Sequence, residues 1–339
     1  MDMNYFKGKN PVFIVAEIGG NHEGDFTYAK KLIRLASESG ADAVKLQVYK
    51  ADALVNPLEA PKRNKHFKKF ELDPRQYVKL AQLCRKLKVF FIASVWDSTQ
   101  IEKLNPYISI YKIGSGDLTA YRLINKIVRT KKPVMLSCGL ASTAELSDVV
   151  SYIKNCDPAY ISEKKLAVLQ CTAMYPTSFG DANLNIMTSI KKMTGLPVGY
   201  SDHTVGMEAA EIACAMGAEI LEKHFTDSRA GKTFRDHKIS ATKKEIQYLI
   251  KKINRIKELQ GSFEKVPLKS EIESGNKTFF RRAVYPAKDL CAGTKLREND
   301  LMLLRPNRGI DAREVETLCG KKLKVNVKKY QRLRKNYVA

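Results

Sequence analysis

His203 and His224 stand twenty-one residues apart, in YSDHT and EKHFT, and each closes a short apolar run. In parallel α/β enzymes the ends of such runs carry the chemistry. If the two runs are neighbouring strands, both imidazoles enter one pocket, with Glu222 and Asp202 beside them. A lone histidine at a strand end is more often a satisfied core or rim residue. A pair with no third strong protein ligand fits a Mn²⁺ or Mg²⁺ type of centre that keeps positions open for water and substrate. The cysteines, at 84, 138, 156, 171, 214, 291 and 319, show no CxxC spacing, which argues against structural zinc.

Two lysines raise a second question. Lys45 in AVKLQV and Lys112 in IYKIGS sit inside otherwise apolar strands. A buried ammonium is costly unless an anion meets it. With Ser115, Ser137, Gly114, Gly116 and Gly139 nearby, the two make a phosphate cradle; the alternative is that each pairs with a neighbouring carboxylate. Reading the remaining strand ends adds Glu17, Gln47, Ser94, Asp117, Tyr175, Ser201 and Glu222. His22, in GGNHEG, is expected to shape a turn, and His66 carries little signal. His237, with Asp236, falls on the loop after the last strand, where substrate would lie.

These groups need a scaffold that brings distant strand ends together. Eight short apolar runs recur, starting at residues 12, 43, 89, 108, 133, 165, 196 and 218. Segments with helical periodicity lie between them, among them FTYAKKLIRLASESG, PRQYVKLAQLCRKLK, TAELSDVVSYIKN and TVGMEAAEIACAMG. Alternation of this kind predicts an α/β fold, a (β/α)8 TIM barrel over residues 1–260. An open doubly wound sheet is the alternative, but no GxGxxG follows the first strand. The stretch VNPLEAPKRNKHFKKFELD reads as a long basic loop, either a lid or disordered. Residues 261–278 read as a polar linker, and residues 279–339 as a small β-rich module.

Composition narrows the remaining possibilities. The 339 residues carry 59 Lys and Arg against 36 Asp and Glu, a formal charge of +23. The cations are spread along the chain with few aromatics interleaved, and no nucleic-acid-binding signature accompanies them, so no nucleic-acid partner is expected. No apolar stretch is long enough to span a membrane, and the first residues lack the apolar core of a secretory signal. Scattered, odd-numbered cysteines suit a reducing cytoplasm.

AEIGGNHEGD, ADAVKLQ, YKIGSGD, YSDHTVG, LEKHFTD, DHKIS and LRPNRGI occur in this order, and in these motifs the chain resembles the sialic acid synthase family along nearly its whole length. The resemblance implies condensation of phosphoenolpyruvate with an N-acetylated aldose, giving a nine-carbon 2-keto acid and phosphate. It implies a barrel followed by an antifreeze-like (SAF) domain, in a domain-swapped homodimer. His203 and His224 would bind a divalent metal, Mn²⁺ by preference, with Mg²⁺ or Co²⁺ as alternatives. Lys45, Ser94, Lys112, Ser115 and Ser137 would hold phosphoenolpyruvate, with Ser201 near its phosphate and Tyr175 near the sugar. Glu17, Gln47, Asp117, Glu222 and Asp236 would face the reacting carbons or sugar hydroxyls. Arg305 of a second copy would reach the N-acyl end of the sugar.

Several positions, in four places, depart from the family pattern. Asp117 stands where many members have Glu, and Ala173 where Asn or Ser is frequent. SVWD at 94–97 replaces STPF, and FRDH at 234–237 replaces GPDH. These changes surround the sugar, so the acceptor stays open. A phosphorylated aldose is one alternative, for which Arg235 and the basic segment 62–69 speak. A non-catalytic carbohydrate- or nucleic-acid-binding barrel is the other.

Overall fold

A computed structural model describes residues 5–339. Eight parallel strands close into a barrel in sequence order: β1 (Phe13–Gly19), β2 (Ala43–Val48), β3 (Phe90–Val95), β4 (Ile110–Ile113), β5 (Val134–Ser137), β6 (Leu166–Cys171), β7 (Val198–Asp202) and β8 (Ile220–His224). Each expected run contains one strand, and β1 pairs with β8 to complete the ring. Helices alternate with the strands. Phe26–Ser39 shows how the sequence sets their limits: Asp25 caps its first turn by accepting from the Thr27 and Tyr28 amides, and Gly40 ends it at φ 93°.

Alternation along each strand divides the barrel into two environments. Side chains pointing outward, such as Val44, Leu46, Phe91, Tyr111 and Leu221, pack under the helices. Side chains pointing inward are apolar in the lower half, where Phe13, Val15, Ala43, Ile92, Ile110, Met135, Ala167, Leu169 and Ile220 form one cluster. Above that plug the inward positions become polar. Register fixes the layers: Glu17 is level with both Lys45 and His224, Ser94 with both Gln47 and Lys112, and Ser201 with Glu222.

The basic stretch after β2 is helical. Ala51–Leu54 and Pro61–Phe70 are helices, the second opened by Pro at its first turn. Asn64 is buried against Asp52 Oδ1 and the Val55 carbonyl, at 2.9 Å each, so the segment is folded where a loop or disorder was expected.

The first compact unit ends at Gly261, and Ser262–Ala339 forms a second. The expected linker carries two short helices, Lys269–Glu273 and Asn276–Phe279. In the second unit, β9 (Ala283–Pro286) and β10 (Leu301–Leu304) pair antiparallel. Val284, Leu290, Leu296, Ile310, Leu318, Leu323, Val327 and Leu333 are among its core residues. Among the described residues no helix is long and apolar enough to cross a membrane. All seven cysteines are free.

Candidate active site

The polar upper layer opens into a cavity of about 1340 Å³. Its walls include Glu17, Lys45, Gln47, Ser94, Lys112, Ser115, Asp117, Ser137, Tyr175, Ser201, His203, Glu222, His224 and Asp236. Fourteen of the fifteen expected site residues therefore converge on one space. Arg305 belongs to the second unit, where its guanidinium lies 5.8 Å over the Phe280 ring.

Both interior lysines line the cavity and both have partners. Lys45 Nζ lies 2.7 Å from Glu222 Oε1 and 3.6 Å from Glu17 Oε2. Lys112 Nζ donates to Ser137 Oγ at 2.6 Å and lies 3.6 Å from Glu222 Oε1. Ser201 Oγ donates to the same Glu222 oxygen at 2.9 Å. Of the two alternatives posed for these lysines, carboxylate pairing is what the structure shows, and Ser115 and Ser137 line the same cavity. Burial alone would favour neutral Glu222, but Lys112 and Lys45 outweigh it and hold its carboxyl well below the usual range. Glu17 goes the other way: burial pushes it up to about 8, against the pull of Lys45. Two neighbouring carboxyls thus differ widely in acidity, a pattern typical of acid–base sites.

The histidines meet on adjacent strands with ring centroids 5.3 Å apart. Tyr175 packs 4.1 Å from His203 and 5.9 Å from His224. Burial drives His203 down to about 4, and burial, helped by His203 and Lys45, holds His224 well below the ordinary imidazole range, so both rings are neutral near pH 7. The Thr172 carbonyl lies 2.8 Å from His203 Nδ1 and can only accept, which puts the proton on Nδ1 and leaves Nε2 with a free lone pair. His224 Nδ1, Glu17 Oε2 and Glu222 Oε2 are buried without hydrogen-bond partners, and Asp236 Oδ2 lies 3.9 Å from that nitrogen. Unpartnered atoms of this kind, concentrated in one cavity, call for a ligand. Among the described residues no three or more His, Cys, Asp or Glu groups form a closed metal cage. Two neutral imidazoles with a free lone pair fit an open divalent centre that takes its other ligands from water or substrate.

Three expectations fail in detail. Asp202 does not join the histidines: it is fully buried away from the cavity, bound to Lys223 Nζ at 2.6 Å. Strand alternation sends Ser201 and His203 inward and Asp202 outward. His237 also turns away from the cavity; its ring nitrogens lie 2.7 Å from Thr226 Oγ1 and 3.0 Å from Glu23 Oε1. His66, set aside in the sequence, lines the cavity beside Phe70 and Phe234. His22 shapes its turn as expected, accepting from the Gly24 amide at 3.0 Å.

Several cavity residues lay outside the sequence-based set. Trp96 stacks 5.4 Å from Tyr49, and Phe67 meets both edge-on. Arg63, His66, Phe67 and Phe70 all line the cavity from one helix, at the i, i+3, i+4, i+7 spacing of a single face. That spacing was available in PKRNKHFKKF.

Fold and site define a (β/α)8-barrel enzyme with its working groups gathered at the C-terminal ends of the strands. A sequence model of the NeuB family matches residues 32–265, and a SAF domain model matches residues 281–336. The chain belongs to the NeuB family, and it is a carbon–carbon bond-forming transferase of the sialic acid synthase type. N,N'-diacetyllegionaminic acid synthase of Legionella pneumophila is 34% identical over 328 residues, spanning 93% of this chain and 91% of the relative. N-acetylneuraminate-9-phosphate synthase of Mus musculus is 31% identical across 94% of this chain and 90% of its own. The solved N-acetylneuraminic acid synthetase of Leptospira borgpetersenii serovar Hardjo-bovis aligns with a TM-score of 0.72 at 33% identity, covering 79% of this chain and 91% of that one.

Proposed function

We propose that the protein condenses phosphoenolpyruvate with an N-acetylated aldose, N-acetylmannosamine or a related hexose, to give a nonulosonic acid and inorganic phosphate. The observation that carries this reading is the placement of Lys45, Lys112 and Ser137 in one cavity with the His203–His224 pair. An enol phosphate carries the negative charge that buried ammoniums need, and an aldehyde is the electrophile that a divalent cation activates.

In this reading Lys45 and Lys112 hold the phosphate and carboxylate, with Ser94, Ser115, Ser137 and Ser201 supplying further donors. His203 and His224 would hold a divalent cation, Mn²⁺ by preference, which supplies Lewis-acid polarisation of a carbonyl. Gln47, Tyr175 and Asp236 orient the aldose, so that C3 of phosphoenolpyruvate bonds to the aldehyde carbon. Positioning two substrates in this way supplies about 7–11 kcal/mol of the barrier. Positive charge develops at C2, where the Glu17 carboxylate stabilises it and takes a proton from the water that adds there. The resulting tetrahedral centre breaks its C–O bond to phosphate, and the lysines balance the charge of the leaving group. Asp117 completes the acid–base set, while ionised Glu222 supports catalysis by holding Lys45 and Lys112 charged and in place. The reading includes a cytoplasmic, domain-swapped homodimer in which Arg305 of one copy reaches the N-acyl end of the sugar bound by the other.

The test is a panel of aldoses differing at C2, C4 and C6, assayed with Mn²⁺ for phosphate release and 2-keto acid formation. The reading expects both products in equal amounts with at least one N-acetylated aldose. Phosphoenolpyruvate left intact by every member overturns it.

A further inference from the structure

The turn GGNHEG, residues 19–24, carries none of the reacting groups, yet it grips the segment that follows β8. That segment, residues 225–240, includes the short helix Asp236–Ile239, which brings Asp236 to the cavity wall with Oδ2 3.9 Å from His224 Nδ1. Gly20 leaves room for a ring: a Cβ there would lie 3.0 Å from Phe234 Cζ. Asn21 is fully buried, and its side-chain amide donates to the Phe225 carbonyl at 2.9 Å and to Ser240 Oγ at 2.8 Å. Ser240 Oγ then donates to the Asp236 carbonyl at 2.6 Å. Glu23 Oε1 lies 3.0 Å from His237 Nε2 and 3.7 Å from Lys232 Nζ. The second nitrogen of the His237 ring lies 2.7 Å from Thr226 Oγ1.

The backbone of the turn is held to this fit. Glu23 has φ 52°, a left-handed conformation that a residue with a Cβ keeps only where its surroundings fix it. Gly24 follows at φ 81°, and a Cβ there would collide with the Lys69 carbonyl oxygen, so the far side of the turn is wedged against the helix Pro61–Phe70. The His237 ring bridges Glu23 and Thr226 in either protonation state. As a cation it donates to both; neutral, with its proton on Nε2, it donates to Glu23 and accepts from Thr226. We infer that the turn after β1 is a socket for the segment after β8, and that Glu23 and His237 are positioning residues that hold Asp236 beside the histidine pair. The role of Asp236 rests on the condensation reading above; the socket itself does not.

Two readouts on the full-length protein test this. Trypsin cleaves after Lys and Arg, and Arg229, Lys232 and Arg235 report whether the segment is seated, with or without turnover. Glu23→Ala changes a side chain that is 38% exposed, so the barrel should fold, and native-state cleavage at these three residues should quicken about tenfold. His237→Ala should do the same. In both variants kcat should fall about tenfold to a hundredfold as Asp236 is misplaced, while the KM for phosphoenolpyruvate, set on the lysine floor, stays within about twofold. Glu23→Gln, which keeps an acceptor for His237, should recover most of the loss. The double Ala variant should be no worse than the more affected single one, because both remove one contact. Unchanged cleavage in Glu23→Ala, cleavage that quickens equally across the whole barrel, an unchanged kcat, or single effects that add in the double variant would each overturn the inference. If no aldose consumes phosphoenolpyruvate while cleavage at 229–235 still quickens selectively, the socket stands and the condensation reading fails.

Discussion

Lys45 Nζ and Glu222 Oε1 lie 2.7 Å apart on the floor of the cavity, both side chains almost completely buried. The pair joins β2 to β8 across β1, and the same Glu222 oxygen accepts from Ser201 and faces Lys112. Glu222 therefore favours the charged form of two ammoniums that are almost completely buried. An arriving phosphoenolpyruvate meets cations whose desolvation cost was met on folding.

Removing one of those cations should cost substrate affinity first. Lys45→Met keeps the aliphatic volume and deletes the charge, so the KM for phosphoenolpyruvate should rise ten- to a hundredfold, with a smaller change for the aldose. Steady-state kinetics with each substrate varied in turn checks this. Equal effects on both substrates would place Lys45 elsewhere in the mechanism.

The pH profile should report Glu17. Burial raises its carboxyl to about 8, so at neutral pH most of the free enzyme holds it protonated, whereas water addition needs the carboxylate. The value of kcat/KM should climb as pH rises through about 8, and Glu17→Gln should remove that limb along with most of the activity. Stability should move oppositely. The folded state binds this proton more tightly than the unfolded chain, so its contribution is complete below the ordinary carboxylate range and is lost as pH rises through 8. Denaturant titrations at pH 6 and 9, on wild type and Glu17→Gln, read that difference.

Behind the histidines, Asp202 and Lys223 staple β7 to β8. Asp202 Oδ2 takes Lys223 Nζ at 2.6 Å, Oδ1 takes the Thr204 amide at 2.8 Å, and Lys223 also donates to the Thr204 carbonyl at 2.7 Å. Each member adjoins a histidine in the chain. Asp202→Asn strands a buried ammonium and should destabilise the fold by about 3–5 kcal/mol. Mn²⁺ affinity, measured calorimetrically below the unfolding transition, should weaken about tenfold as the imidazoles lose their fixed spacing. An unchanged affinity would make the staple purely structural.

Gly139 sits where a side chain would do damage. A Cβ there would lie 2.8 Å from Ser115 Oγ and 3.1 Å from the Cys171 carbonyl, while its amide donates to that same Ser115 oxygen at 3.0 Å. Gly139→Ala should push Ser115 off the cradle and cost about 1–3 kcal/mol through overpacking. Thermal unfolding together with the KM for phosphoenolpyruvate checks both effects.

The barrel was legible because each strand announces itself as an apolar run with a polar residue at its end. That polar residue was legible as chemistry because apolar neighbours leave it no structural reason to be there. Asp202 shows the limit. It belongs to the same SDH triplet as Ser201 and His203, and only the two-residue period of the strand separates it from them. The helix Pro61–Phe70 was hidden by its charge: with Lys on most of its surface it reads as a solvated loop. Its one-face spacing of Arg63, His66, Phe67 and Phe70 was present but masked by the lysines between them, and the contacts through Asn64 and the Tyr49–Trp96–Phe67 cluster show that it folds. Trp96 and Phe234 were visible only as departures from the family pattern, because a sequence does not show which way an aromatic ring at a strand end or loop turns.

The proposed condensation depends most on a divalent cation held between two neutral imidazoles. The direct measurement is phosphate release from phosphoenolpyruvate and an accepted aldose by chelator-treated protein as Mn²⁺ is added back. Stripped protein should show no turnover, the wild type should recover it saturably, and a folded His203→Ala variant should not recover it. Full turnover by stripped protein, or undiminished recovery in His203→Ala, would contradict that dependence.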